Sequence, residues 1–408
     1  KGTVLKWEIK KFIHQGLFTV VEWYFECDYN NEISGFDGVS IIEFNKNMKI
    51  IKIIFTILQI LIGLSLEAQV HSKSWKNIIF NENDSWYSTK QAKEIAENVL
   101  LYQKNNGGWP KNIEMQNKLS ISEIEDLKSK KNNLTECTID NGATTQEMIF
   151  LSKIYKNHPD KKYKKAFTKG LKYLLNAQYK NGGWPQFYPL KKGYYTNITY
   201  NDDAITNVLF LFKEIIDQPE SYPIPISNRI KKKIIFSFKI GIDCILKTQY
   251  KQNGILTAWC AQHDENTLLP SKARAFELPS LSGQESAKIV LLLMSIKHPS
   301  EDVINAVNNA VKWFEKTKIS NIKIETIEIE KGKTDKIVVN SENSEPLWAR
   351  FMNLDDNRPF FCDRNGVKKY ALNEISYERR NGYNWYTNKP NDVLKKYKKW
   401  IETLNKTY

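Results

Sequence analysis

The chain has 408 residues, of which 41% are hydrophobic and 26% charged, a balance that is ordinary for a folded soluble protein. Its formal net charge of +14 implies attraction to a polyanion, such as nucleic acid, an acidic lipid or an acidic polysaccharide. The five histidines are scattered, and the five cysteines are widely spaced without a CxxC pair. This usage argues against a histidine-rich metal centre, a Ser-His-Asp triad, a zinc site or a disulfide-dense scaffold, and we expect buried thiols.

The N-terminal stretch differs from the rest of the chain. Residues 1–47 contain no repeat unit and no helical stripe, so we interpret them as upstream translation outside the fold. Met48 opens a short basic segment, and an apolar run from Ile53 to Leu66 follows. That order predicts a signal peptide at 48–68, because the run is shorter than the roughly twenty residues of a membrane span. We therefore expect a secreted or periplasmic protein that starts near Gln69, with an uncleaved anchor as the alternative.

A loop with two glycines and a tryptophan recurs along the chain. Gln103-Lys-Asn-Asn-Gly-Gly-Trp109 returns 75 positions later as Gln178-Tyr-Lys-Asn-Gly-Gly-Trp184, and a third, degraded copy ends at Trp259. Helical spacing precedes the second loop, at Tyr163, Phe167, Leu171 and Leu174, and follows it, at Ile205, Val208, Phe212 and Ile215. The unit that repeats is therefore a helix, a Gly-Trp loop, an acidic turn and a second helix.

Repeated helix pairs predict an all-α dominated fold, an (α/α) toroid or barrel of about three helix-pair repeats with its loops on one face. Alternating Ile, Lys and Glu between Ser320 and Asn340 predict a small β excursion near the C-terminal third. A closing helix is expected from Asp392 to Leu404. Because no linker-like segment interrupts residues 69–408, we expect one catalytic domain there.

Acidic and amide residues stand at the predicted starts of two helices that follow the loops: Asp140 and Asn141 in the first unit, Asp202 and Asp203 in the second. Such residues are preferred helix N-caps, and for any one of them a cap is the simpler interpretation. Their recurrence at equivalent positions favours a second interpretation, in which the oxygens bind a hard cation such as calcium. Both interpretations stay open on the residues alone.

Other polar and aromatic residues near the loops also have two interpretations. Arg274 is either a surface charge paired with Glu277 or a reactive group, and Trp184 is either a core plug or a platform for a sugar ring. Arg358 lies among aromatic residues that could equally form an interface. His263, next to Asp264, is the one histidine near the loops. These residues do not by themselves define a reaction.

Several blocks, in unbroken order from about residue 90 to the C-terminus, carry a family resemblance. They are Thr138-Ile-Asp-Asn-Gly-Ala-Thr144, Asn181-Gly-Gly-Trp-Pro-Gln-Phe-Tyr-Pro189, Tyr194-Tyr-Thr-Asn-Ile-Thr-Tyr-Asn-Asp-Asp-Ala204, Trp259-Cys-Ala-Gln-His-Asp264, Ala273-Arg-Ala-Phe-Glu-Leu-Pro-Ser-Leu-Ser282, Asn357-Arg-Pro-Phe-Phe361 and Glu378-Arg-Arg-Asn-Gly-Tyr383. Together they resemble the pectate lyases of polysaccharide lyase family 10. Asn197 departs from the pattern, which leads us to expect histidine there.

The resemblance implies an (α/α) barrel that cleaves polygalacturonate by β-elimination with calcium as cofactor. It places the catalytic arginine at Arg274 and the metal ligands at Asp140, Asn141 and Asp202. We assign substrate binding to the side chains of Arg358, Trp184, Lys272 and Asp264. The expected partner is pectin or polygalacturonate, with no nucleic acid, no stable membrane insertion after signal cleavage, and a monomeric state. An arginine base requires a lowered pKa, so an alkaline optimum would follow.

Three alternatives remain. The Gln-x3-Gly-x-Trp loops also resemble the repeats of triterpene cyclases, although the Asp-x-Asp-Asp acid of those enzymes is absent. An inverting glycoside hydrolase would use two carboxylates, such as Asp202 with Asp264 or Glu277. A non-catalytic pectin-binding homologue would bind the polymer without cleaving it.

Overall fold

The computed structural model describes residues 3–29, 32–44, 46, 50–55 and 73–407. The chain divides into two compact units, Lys1–Ser74 and Trp75–Tyr408. The first unit contains an antiparallel four-stranded sheet with its strands in sequence order: Thr3–Gln15 (β1), Phe18–Tyr29 (β2), Glu32–Phe44 (β3) and Ile50–Phe55 (β4).

The predicted domain boundaries concern this first unit. Strand β4 lies inside the predicted signal peptide, whereas Met48 and residues 56–72 lie outside the described residues. Every residue of β1 is exposed, so this strand adds no buried side chain to the sheet. The assignment of 1–47 to upstream translation and of 48–68 to a signal peptide stays a prediction. Among the described helices, none has both the length and the apolar character needed to cross a bilayer.

The second unit is helical. Its helices are Trp75–Asn81 (α1), Lys90–Tyr102 (α2), Ile121–Ser129 (α3), Thr145–Asn157 (α4), Lys161–Ala177 (α5), Ala204–Asp217 (α6), Asn228–Thr248 (α7), Gly283–Met294 (α8), Glu301–Thr317 (α9), Tyr377–Asn381 (α10) and Pro390–Thr407 (α11). Helices α4, α6, α8 and α11 contact one another in turn, and α2, α5, α7 and α9 pack against them as a second layer. This arrangement confirms the predicted α/α array.

The Gly-Trp loops join the two layers in the same way each time. In the first three loops a glutamine caps the preceding helix, and its side-chain amide donates to backbone carbonyls of its own loop and of a neighbouring helix. The tryptophan indole N–H then donates to the last turns of that helix: Trp109 to Val99, Trp184 to Leu174 and Trp259 to Ile245, each at 2.8 Å. Shared anchoring confirms that the degraded third copy is a repeat.

The structure adds a fourth loop that the sequence pattern conceals. Trp348 donates its indole N–H to the carbonyl oxygen of Phe314 at 2.9 Å, which repeats the anchoring of the other three tryptophans. A long insertion separates α9 from this tryptophan, so the short Gly-Trp spacing is lost. Helices α9 and α11 therefore form a fourth helix pair within the described residues.

The β structure of this unit is peripheral. Paired segments of two residues connect the loops: Ile198–Thr199 (β5), Lys251–Gln252 (β6), Ile255–Leu256 (β7) and Gln262–His263 (β8). A long hairpin, Ile322–Glu330 (β9) and Lys333–Asn340 (β10), confirms the predicted β excursion. Four short strands follow it: Trp348–Ala349 (β11), Phe361–Cys362 (β12), Lys368–Lys369 (β13) and Tyr386–Thr387 (β14).

Two apolar cores hold the unit together. The larger one lies among the helices and includes the four loop tryptophans. The smaller one lies under the C-terminal strands and is built from Phe276, Phe351, Phe360, Phe361, Leu372, Ile375 and Trp385. Cys137, Cys244, Cys260 and Cys362 are free and buried, so the expected thiols are confirmed.

Candidate active site

Two short 3-10 turns, Asp140–Gly142 and Asn201–Asp203, lie in contact at the starts of α4 and α6. Both contain residues in the left-handed region: Asn141 has φ 52° and Asp202 has φ 51°. Asn and Asp are the non-glycine residues that most readily adopt this backbone. The helix cap interpretation fails. The N-cap position of α4 is held by Thr144, not by Asp140 or Asn141, and Asp203, which holds the N-cap position of α6, accepts no side-chain cap bond.

Asp140 is almost fully buried, with 2% of its surface exposed. One carboxylate oxygen, Oδ2, accepts a hydrogen bond from Gln186 Nε2 at 2.6 Å and forms an ion pair with the Lys111 ammonium group. The other oxygen, Oδ1, is buried and has no hydrogen-bond partner among the described residues. A buried carboxylate oxygen without a donor is costly, which makes this atom a candidate ligand for a cation.

Arg350 organises the second turn. Its Nη2 donates to Asn201 Oδ1 at 3.0 Å, to Asp202 Oδ1 at 3.1 Å and to Glu285 Oε1 at 2.8 Å. Burial alone would lower the pKa of Arg350, but the charges of Glu285 and Asp202 outweigh it, so the pKa is raised above its ordinary value. Arg350 is therefore a fixed positive charge behind Asp202.

Asp203, the last residue of the second turn, faces a different cation. Its Oδ2 accepts a hydrogen bond from Lys389 Nζ at 3.4 Å. Its Oδ1 is buried and, like that of Asp140, has no partner among the described residues. Each turn thus presents one carboxylate oxygen that has no hydrogen-bond partner within the part of the chain that the structure describes.

Arg274 forms a bidentate pair with Glu277. Its Nε donates to Oε2 at 2.8 Å and its Nη2 to Oε1 at 2.5 Å, while 46% of the Arg274 side chain stays exposed. The hydrogen bonds to Glu277 raise the pKa of Arg274 above its ordinary value. Burial would raise the pKa of Glu277, but its bonds with Arg274 outweigh that effect and leave the pKa lowered. Of the two interpretations of Arg274 from the sequence, a charge paired with Glu277 or a reactive group, this geometry shows the pair.

Tyr383 connects Arg274 with the second turn. Its hydroxyl donates to Glu277 Oε1 at 3.0 Å, and its ring centroid lies 5.8 Å from the Arg274 guanidinium and 4.7 Å from that of Arg350. Because Arg350 binds Asp202, the contacts run without a break from Arg274 to Asp202, although the two residues are far apart in sequence. The structure therefore links the predicted catalytic arginine to a predicted metal ligand through Glu277, Tyr383 and Arg350.

Beside the second turn lies an open cleft of about 740 Å³. Its lining includes Asn141, Asp202, Asp203, Gln284, Lys288 and Lys389. Within the described residues no group of three or more His, Cys, Asp or Glu side chains is close enough to hold a metal ion by itself. A cation in this cleft would therefore need further oxygens, from an amide such as that of Asn141, from a substrate or from water.

One predicted site residue needs correction. Trp184 is fully buried, and its indole N–H is used by Leu174, so it cannot stack on a sugar ring from this position. It serves as a core plug, which was the other interpretation of the sequence. The same holds for Trp109.

The remaining predicted residues make contacts outside the hydrogen-bonded network of Arg274 and Arg350. The Arg358 guanidinium lies 3.7 Å from the centroid of the Tyr370 ring, and Lys272 is exposed. Asp264 accepts hydrogen bonds from the backbone of Thr267 and Asn266, and these bonds lower its pKa. These contacts leave the predicted roles of all three residues in substrate binding as proposals.

Two residues of the same region have structural roles. His263 is fully buried, and its burial lowers its pKa to about 4, so it stays neutral in its loop. Asn197 donates to Ser271 Oγ at 3.1 Å and to the Lys272 carbonyl at 3.2 Å. An amide at the position where we expected histidine therefore fastens the segment that carries Arg274.

The geometry adds five residues that sequence reasoning did not assign: Lys111, Gln186, Glu285, Arg350 and Tyr383. Gln186 and Tyr383 stand inside blocks that carry the resemblance, and this was the available signal for them. Arg350 and Glu285 meet only through the fold, because their contact joins α8 to a loop of the C-terminal segment. No local sequence pattern predicts such a pair.

Comparisons with known proteins show which family this chain resembles in sequence and in fold. A profile of the family described as pectic acid lyase matches residues 103–394. A family 10 polysaccharide lyase from Cellvibrio cellulosa, solved as an aspartate-to-alanine variant in complex with trigalacturonic acid, has 34% sequence identity and a TM-score of 0.67 over 80% of this chain and 95% of that one. A second structure of a family 10 lyase from this organism has 34% identity and a TM-score of 0.66, over 80% and 94% of the two chains. The search of curated proteins gives no match.

The fold built from these helix pairs is thus that of a polysaccharide lyase. The chain belongs to the pectic acid lyase family, since the family profile spans well over half of it. It is a pectate lyase, an enzyme that acts on polysaccharides. This assignment decides against the cyclase and hydrolase alternatives.

Proposed function

We propose that this enzyme is a secreted, calcium-dependent lyase that cleaves α-1,4-polygalacturonate by β-elimination, with Arg274 as the proton acceptor. The observation that carries the proposal is the continuous set of contacts from Arg274 through Glu277, Tyr383 and Arg350 to Asp202. This set of contacts ends at Asp202, which lines the cleft together with Asn141 of the other acidic turn. β-Elimination next to a carboxylate needs a proton acceptor and a cation that binds this carboxylate, and we assign these roles to the guanidinium and to a cation held by the acidic turns.

The substrate class follows from charge and from the relative. The chain carries a net charge of +14, so a polyanion is attracted to the protein as a whole, and in the cleft Lys76, Lys288 and Lys389 stand beside the carboxylates of Asp202, Asp203 and Glu214. The related lyase was solved with trigalacturonic acid, which is a short piece of such a polyanion. Galacturonate also has its C5 proton next to a carboxylate, which is the position that elimination requires.

The donor set supports calcium. Asp140 Oδ1 and Asp203 Oδ1 are buried and unpaired among the described residues, and Asn141, Asp202 and Asp203 line the cleft. All of these donors are oxygens, which hard cations such as calcium prefer. The substrate carboxylate would complete the shell. A bound calcium ion would draw electron density from that carboxylate and make the neighbouring C5 proton more acidic.

Arg274 faces a specific obstacle as a base. Its bidentate pair with Glu277 favours the protonated guanidinium, whereas a proton acceptor must be neutral. The pair must therefore open, or be weakened by other cations, before Arg274 can accept the C5 proton. Elimination then forms the C4–C5 double bond and breaks the C4–O4 bond, with a proton from water for the leaving oxygen. This requirement favours an alkaline optimum.

The test is an assay on polygalacturonate with and without a calcium chelator. We expect ultraviolet absorbance from the unsaturated uronate product, its loss with chelator and its recovery when calcium is restored. Absorbance that the chelator leaves unchanged would contradict the role of calcium. Reducing ends without absorbance would indicate hydrolysis, and binding without any product would indicate a non-catalytic homologue.

A further inference from the structure

A second cavity, of about 720 Å³, opens next to the candidate cleft. It lies between the C-terminal end of α8 and one face of α11, and we call it the basic groove. Its principal polar and aromatic lining residues are Lys297, His298, Lys395, Lys396, Lys399 and Trp400. Phe210 and Lys288 line both cavities, so the basic groove continues the cleft that holds the acidic turns.

The charge of the basic groove is one-sided. Lys288, Lys297, Lys395, Lys396 and Lys399 line it, and none of its described lining residues is acidic. Lys395 Nζ forms an ion pair with Glu345 Oε1 at 3.4 Å, but both side chains are about two-thirds exposed, so this ion pair is weak. Trp400 is partly exposed and lies against Tyr397, with 6.0 Å between the ring centroids. A groove with ammonium groups and an aromatic face suits a chain of charged sugars.

We propose that the basic groove binds uronate residues of the polysaccharide that lie outside the cleft, so that it acts as an accessory site for long acidic chains. The inference rests on the proposed function, because it names the substrate whose other residues occupy the cleft. Two observations carry it: the continuity of the two cavities through Phe210 and Lys288, and the charge complementarity between the lysines and a polyuronate. A substrate too short to leave the cleft would not reach Lys396 or Lys399.

This placement predicts a dependence on chain length. Exposed lysines bind carboxylates weakly one by one, and salt screens them, so their effect accumulates only along a long chain. Their removal should therefore raise KM for polygalacturonate by about three- to tenfold at low salt. The value of kcat, and all kinetics on trigalacturonate, should stay the same, because the cleft is untouched.

The test compares two variants of the full chain in which three lysines are replaced by glutamine. The groove variant carries Lys297→Gln, Lys396→Gln and Lys399→Gln, all exposed positions that line the basic groove. The control variant carries Lys164→Gln, Lys165→Gln and Lys172→Gln, which are exposed on α5. Both lose the same charge, so a general effect of net charge is equal in the two.

Kinetics on polygalacturonate and trigalacturonate are measured at low and high salt, beside electrophoresis of each protein in gels that contain polygalacturonate. We expect only the groove variant to have a raised polymer KM and less retardation in the gel. An unchanged polymer KM, an equal change in the control, or an equal loss on trigalacturonate would overturn the proposal. If the unmodified enzyme forms no product, the proposed function fails, and the gels alone still decide whether the groove binds the polymer.

Discussion

The two acidic turns have the same backbone and different surroundings. Asn141 and Asp202 have nearly equal left-handed φ angles, and each turn leaves one carboxylate oxygen unpaired among the described residues. Asp140, however, is buried beside Lys111 and Gln186, whereas the Asp202 side chain is 36% exposed and is held by Arg350. The two copies of the repeat therefore have the same backbone conformation at this turn, whereas different neighbouring side chains set the electrostatic environment of each copy.

The difference indicates a division of labour. The turn of Asp202 is connected, through Arg350 and Tyr383, to the pair of Arg274 and Glu277. The turn of Asp140 is connected to loops of the first and second repeats, which makes it the more structural of the two. Substitutions can break or sharpen this comparison, and the largest effect is expected at the end of the network.

Arg274→Lys should lower kcat at least about a hundredfold, because removal of a proton-transfer group typically costs 10²–10⁴-fold. Lysine keeps the charge but lacks the planar fork that pairs with Glu277. The matched control is Arg380→Lys, since Arg380 makes the same two-bond pair with Asp335 away from the site. Steady-state kinetics with a melting curve for each variant measure the effect. Turnover like that of the unmodified enzyme in Arg274→Lys would remove Arg274 from the mechanism.

Asp202→Ala and Asp140→Ala should separate metal binding from stability. If both carboxylates bind calcium, each variant should need at least about tenfold more calcium for half-maximal activity. Only Asp140→Ala should also lose stability, by about 1–3 kcal/mol, because it leaves the buried amide of Gln186 and the part-buried ammonium group of Lys111 without this partner. Calcium titrations and denaturant unfolding measure the two effects. Unfolding of Asp202→Ala, or calcium dependence that it leaves unchanged, would contradict the assignment of Asp202.

Tyr383→Phe tests the connection itself. It removes the hydroxyl that donates to Glu277 and keeps the ring between the two guanidinium groups. Loss of one such hydrogen bond corresponds to about 0.5–1.5 kcal/mol, which is roughly a two- to tenfold decrease in kcat/KM. Tyr163→Phe is the control, because its hydroxyl donates to Glu97 outside the site. Equal activity of the two variants would show that Tyr383 only packs.

Deletion of residues 1–47 should have the smallest effect. We predict unchanged kcat and KM, because both acidic turns and the Arg274 network lie in the unit Trp75–Tyr408. Kinetics of the shortened and complete chains measure this, and N-terminal sequencing of exported protein tests the predicted start near Gln69. A loss of activity on deletion, or an exported chain that still begins at Lys1, would contradict the interpretation of this stretch.

The sequence predicted what is encoded locally. The loops at Gln103–Trp109 and Gln178–Trp184 contain their own glycines and anchors, so the repeat and the helix pairs could be recognised. The burial of Trp184 was not predictable from its neighbours, because a tryptophan beside proline is as often a plug as a platform. Arg350 could not be assigned either, since its partners Asn201 and Glu285 come from other repeats and meet it only in the folded chain.

The fourth loop has a consequence for how this architecture can grow. Trp348 lies thirty positions after the helix cap Lys318, compared with six between Gln103 and Trp109, yet its anchor is the same. Ile319 and Leu347 pair at the neck of the insertion, with hydrogen bonds of 2.8 and 3.0 Å, and so bring its ends together. Closing a fivefold longer loop costs only about 1.4 kcal/mol of chain entropy. The hairpin turn at Gly332 is therefore a position at which an additional domain could be inserted between two helices, because none of the described residues packs against this glycine and the hairpin does not line the cleft.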